Sequence, residues 1–80
     1  MDWRQYEDDM FRHTQYYTIT EFLGRAKYLT TKYSDINICA KVYRDIKREF
    51  PKRRVLVYAV CQPPNRLLSV SLPLPEDKLP

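Results

Sequence analysis

Glycine is nearly missing from the chain, with a single residue, Gly24, among 80. Glycine supplies positive φ and close backbone approach at no steric cost. Its scarcity argues against Gly-rich phosphate loops and against tight primed hairpin turns. Histidine is as scarce. His13 alone cannot build a proton relay, and its place among helically spaced apolar residues gives it a structural role before a catalytic one. The two cysteines, Cys39 and Cys61, lack CxxC spacing, and a metal site would have to join them to His13 across three distant segments. No GxSxG, Walker or HExxH motif occurs, and Glu7, Asp8 and Asp9 read as a solvated acidic face. These absences point away from an enzyme and from any cofactor or metal. The opening MDWRQYEDDM is acidic and has no apolar signal-peptide core, and no apolar run reaches membrane-spanning length. The expected setting is cytoplasmic, with the nucleus second, where both cysteines stay reduced and buried.

What the chain does contain suits one small domain spanning residues 1–80. Apolar residues make up 44% and charged residues 30%, which are globular values. Eleven aromatics (seven Tyr, three Phe, one Trp) give a small core much apolar area per side chain. A core of this size is marginal by itself, so self-association is expected. The net charge of +4 is compatible with a nucleic-acid partner without demanding one.

The periodicity predicts an α+β fold of two to three helices followed by an antiparallel β-hairpin packed on them. Trp3, Tyr6, Met10, His13 and Tyr17 are helically spaced, which gives an N-terminal helix over 2–17 capped by Asp2. Thr18 and Glu21 have capping-box spacing, and Ile19, Phe22, Leu23, Ala26 and Leu29 share a face, giving a helix over 18–31. A third helix over 35–50 is capped by Ser34 or Asp35, stopped by Pro51, and striped by Ile36, Cys39, Val42, Tyr43, Ile46 and Phe50. The period then changes to two. VLVYAVC reads as a central strand, QPPNR as a loop, and LLSVSLPL as an alternating strand with Leu68, Val70, Leu72 and Leu74 inward. The hairpin covers 54–74 and the tail 75–80. The expected core is Phe22, Leu23, Leu29, Cys39, Val42, Ile46, Val57, Ala59, Val70 and Leu72.

Two features carry functional readings. The stretch from Lys41 to Arg54 holds Lys41, Arg44, Lys47, Arg48, Lys52, Arg53 and Arg54 against Asp45 and Glu49, and these cations could neutralise phosphates. The plainer reading makes them a solvated helix face and a soluble helix-to-strand turn. The second feature is the strand ending in prolines. Its proline confines it to an edge, and its outward serines leave that edge poorly guarded against strand pairing. Leu67, Ser69, Ser71 and Leu72 are therefore the expected partner-binding residues, for a protein segment or a second copy.

From Lys32 to Lys78 the chain resembles the Tctex-type dynein light chains. The text that carries the resemblance is KYSDINICAKVYRDIKREFPKRRVLVYAVCQPPNRLLSVSLPLPEDK. Tyr33 stands at the family's pre-helix tyrosine, Ile46 and Lys47 at its Ile-Lys step, VLVYAVCQ at its first strand, and Asp77 near its acidic position. The chain departs from the family at Leu72 to Pro75, where an aromatic is usual, and ends before the family's last two strands. The resemblance implies a helix pair on an antiparallel sheet, with 18–31 as a shortened first helix. It also implies dimerisation and capture of an extended segment along an edge strand, that is, a non-enzymatic adaptor or accessory subunit. Two other readings remain open. One is a winged-helix DNA-binding protein with 35–50 as recognition helix and QPPNR as wing tip. The other is a small inhibitor that coats one partner enzyme.

Overall fold

The computed structural model of the protein describes residues 3–80. In chain order it has helix α1 (Trp3–Phe11), strands β1 (Thr14–Gly24) and β2 (Lys27–Tyr33), helix α2 (Ile36–Glu49), strands β3 (Arg54–Cys61) and β4 (Val70–Pro73), and a 3-10 turn over Glu76–Lys78. The class is α+β, as the pattern of periods predicts, with two helices and one antiparallel sheet of order β2-β1-β3-β4.

The expected helix over 18–31 is instead the β1–β2 hairpin, and the N-terminal helix stops at Phe11 rather than residue 17. Composition explains both corrections. Between Tyr16 and Tyr33 the chain is dense in Thr, Tyr, Ile and Phe, whose branched or bulky side chains fit a pleated surface better than a helix. The helical spacing of Ile19, Phe22 and Leu29 is a coincidence: Ile19 and Phe22 lie on opposite sides of β1, and Leu29 lies in β2. Thr18 and Glu21 cap nothing, and the Asp2 cap lies outside the described residues. The turn is Arg25–Ala26, with Ala26 taking the left-handed φ of 58° that a glycine would adopt without strain.

The third helix and the strand after it match expectation. The Asp35 carboxylate accepts the Asn37 amide at 2.8 Å, and the Phe50 amide closes the last turn on the Ile46 carbonyl at 2.7 Å. α2 lays Cys39, Ala40 and Tyr43, flanked by Ile36, Val42 and Ile46, on Ile19, Val55 and Val57 of the sheet. α1 covers the same side further along, where Met10 meets Ala59 and Cys61 with Val70 and Leu72 beside them. Both helices thus sit on one face of the sheet.

Several expected core positions are wet. Val42, Ile46, Val70, Leu72 and Phe22 are only half-buried, and Leu23 and Leu29 are exposed. At the hairpin tip, Leu23 and Leu29 are exposed because of length: β1 has 11 residues, about 37 Å, whereas the 14-residue α2 spans about 21 Å. Phe22 lies on the face of the sheet away from the helices. Trp3 and Tyr6 are also exposed, so α1 buries Met10 alone. Leu68 is not inward but lies in the β3–β4 loop, exposed like Leu67 beside it. The tail is more than a loop. Leu74 and Leu79 are buried in the main core, the Arg44 guanidinium donates to the Leu79 carbonyl at 3.4 Å, and Lys78 meets Asp8 at 3.3 Å.

Candidate functional site

With α1 and α2 on one face, the register places a defined set of side chains on the other. β2 contributes Tyr28, Thr30 and Lys32; β1 contributes Phe22, Thr20, Thr18 and Tyr16; β3 contributes Arg54, Leu56, Tyr58 and Val60; β4 adds Pro73 and Ser71. Side-chain contacts bear out this grouping. The Thr20 and Thr30 hydroxyls meet at 3.1 Å, the Phe22 and Tyr28 rings lie 6.4 Å apart, Lys32 Nζ stands 4.0 Å over the Tyr16 ring, and the Arg54 guanidinium lies 5.0 Å from the Phe22 ring. Neither helix covers this face, on which Val60 is buried and Tyr16, Phe22, Leu56 and Tyr58 are half-buried. Tyr28 is 66% exposed, and no Asp or Glu occupies any of its register positions.

The sheet ends in two free edges. β4 lies at one of them, as its proline predicts, but it has only four residues and stops at Pro73, after which the Leu74 amide bonds to the Val57 carbonyl at 2.8 Å. Of the expected partner residues, Leu67 and Ser69 lie in the loop before β4, Ser71 points to the open face, and Leu72 turns inward opposite Ala59. They do not form one surface. The other edge, β2, is seven residues long and borders no further strand. Helical spacing hid it.

The basic stretch is divided rather than pooled. Lys47 donates to the Arg53 and Pro51 carbonyls at 3.0 and 3.4 Å, satisfying the turn after α2. Arg53 pairs with Glu21 at 2.9 Å and stacks 3.7 Å over the Phe50 ring. Arg44 holds the tail, Arg48 pairs with Asp45 at 3.4 Å, and Lys41 and Lys52 are exposed. Arg54 alone of the seven belongs to the open face. The three-helix order of a winged-helix protein does not occur among the described residues, and α2 is a crossover helix packed on the sheet.

Cys39 and Cys61 are free, buried thiols, and burial pushes the Cys39 thiol above its ordinary range. Burial likewise raises the Tyr17 and Tyr43 phenols, with Cys61 adding at Tyr17 and Glu76 adding at Tyr43. Cys39 is a poor nucleophile, since burial keeps its thiol protonated. His13 sits in the turn after α1, its amide bonded to the Met10 carbonyl and its carbonyl accepting from the Gln62 amide. No cluster of metal-ligating side chains occurs among the described residues, and no described helix is long and apolar enough to cross a membrane. Comparison with family models, curated proteins and solved structures gave no match to the chain.

Proposed function

We propose that the protein is a non-enzymatic binding module that takes up an extended chain segment along the free edge of β2. The occupant that best fits is a second copy. The carrying observation is the edge itself: seven residues that border no further strand, with Tyr28 66% and Leu29 52% exposed. Edge strands recruit partners because half of their backbone donors and acceptors face outward unpaired. The sequence KYLTTKY is also nearly self-complementary. Antiparallel pairing of all seven residues centres a twofold axis on Thr30 and sets Lys27 opposite Tyr33, Tyr28 opposite Lys32, and Leu29 opposite Thr31. Each lysine then meets a tyrosine ring of the other copy rather than a like charge.

Strand capture along an edge is the mode that the dynein light-chain resemblance implies, moved here from β4 to β2. The two free, buried thiols suit a reducing compartment, so a cytoplasmic setting belongs to the proposal. A seven-residue pairing covers less than the roughly 1,200 Å² of a stable interface, so micromolar self-association is expected. Sedimentation equilibrium tests it. The unaltered chain should show a monomer–dimer equilibrium, and Thr30→Lys, which sets two cations against each other at the axis, should weaken it at least about tenfold. A dimer indifferent to Thr30→Lys but lost with Ser71→Pro would return the interface to β4. A monomer at every concentration would remove the second copy as occupant.

A further inference from the structure

The open face of the sheet shares Tyr28, Thr30 and Lys32 with the β2 edge but extends across β1, β3 and β4, and its side chains identify a different ligand. We infer that it binds a single nucleic-acid strand. Three observations carry the inference.

The first is the rings. Phe22 and Tyr28 lie side by side at one end of the face, with centroids 6.4 Å apart, while Tyr58 and Tyr16 continue the aromatic surface toward the other end. Same-face residues along a strand are about 6.8 Å apart and neighbouring strands about 4.8 Å. Aromatic rings at such intervals form a platform on which unpaired bases stack, and every base has a face to offer.

The second is charge. Lys32 and Arg54 stand over the Tyr16 and Phe22 rings, so positive charge sits within the ring layer, where a phosphate backbone would pass. Arg25 in the β1–β2 turn and Lys52 in the turn before β3 are exposed cations at the same end of the sheet. The acidic residues lie elsewhere. Glu7, Asp8 and Asp9 are in α1, Asp35 caps α2, Asp45 and Glu49 lie in α2, and Glu21 is on the helix-facing side, locked to Arg53. Glu76 and Asp77 follow β4, where Glu76 and Glu7 line a cavity at the far margin with Leu56, Tyr58 and Pro73. A face whose strand positions hold cations and no carboxylate is complementary to a polyanion.

The third is what the same charges exclude. Two copies packed face to face would bring Lys32 and Arg54 against their equivalents with no carboxylate to meet them. A duplex, whose bases are already stacked, offers the rings nothing. A single strand uses both the rings and the cations.

The test is a fluorescence-anisotropy titration of the whole chain with a labelled twelve-nucleotide mixed-sequence strand. It is run as RNA, as DNA and as the corresponding duplex, at two salt concentrations. Single strands should bind at low salt at least about tenfold more tightly than the duplex, and should weaken as salt rises. Tyr28→Ala should lower affinity about fivefold or more, and Lys32→Glu with Arg54→Glu at least tenfold. Lys41→Glu with Arg48→Glu, on the far side in α2, should change it less than about twofold. Sedimentation equilibrium on the same variants reads self-association separately, so failure of either proposal is visible without the other. The RNA and DNA arms show which strand is preferred. Three results would overturn the inference: no salt-sensitive binding of either strand, duplex binding equal to single strand, or equal losses from the α2 and open-face pairs. It would likewise fall if the face captured an acidic peptide more tightly than either strand.

Discussion

Ala26 is the residue at which the backbone is most visibly compromised. It holds a φ of 58° in the β1–β2 turn, while Gly24 two residues earlier has no positive φ and open space around its missing Cβ. The left-handed region costs an L-residue about 1–2 kcal/mol, part of which a glycine's freer unfolded chain gives back. Ala26→Gly is therefore expected to stabilise the fold by about 0.5–1 kcal/mol and raise the thermal midpoint by roughly 4 °C, read by circular dichroism. Cys39 sets an alkaline limit. Its thiol is fully buried and its pKa lies above the ordinary 9.0, so the unfolded chain releases that proton first. The stability it contributes is complete below pH 9 and declines as pH rises from there through the folded value. Tyr17 and Tyr43 add a similar loss beginning near their ordinary 10.0. In urea titrations across pH 8–11, Cys39→Ala should shift the onset of the decline from about 9 toward 10. An unchanged onset would mean that Cys39 ionises as easily in the fold as out of it.

At the scale of elements, α2 and β3 were legible and the β1–β2 hairpin was not. Asp35, Pro51 and the stripe from Ile36 to Ile46 mark a helix because its two faces differ in polarity. β1 lacks that contrast. Its helix-facing Tyr17, Ile19 and Glu21 are no more apolar than its open-face Tyr16, Thr18, Thr20 and Phe22, so no alternation shows. The open face was missed for the same reason, since aromatics in solvent look like core. The cations from Lys41 to Arg54 stood out in the sequence, yet most of them serve the turn, the tail and the helix surface. The C-terminal segment is the element whose contribution was least visible. A loop by composition, it places Leu79 in the core beneath the Arg44 bond. Leu79→Ala should cost about 2–3 kcal/mol in urea denaturation. A loss below about 0.5 kcal/mol would show that the segment rests on the core without stabilising it.

The whole molecule divides its surfaces. The helices close one side of the sheet, the other side is left to rings and cations, and β2 leaves one margin open. Overhang produces this arrangement: the sheet outruns α2, and the tip at Leu23 and Leu29 gains nothing from the core. A domain of 80 residues has little stability to spare, so an uncovered edge and tip are regions where association would add to it. The most direct measurement of the account is a dilution series of amide NMR spectra on the unaltered chain. As concentration rises, the amides from Lys27 to Tyr33 should shift together along one curve, with Leu29 and Thr30 moving most and the outer face of α2 unmoved. Shifts confined to Leu67 through Pro73, or none across the accessible range, would contradict the β2 edge as the site at which this molecule meets a second copy.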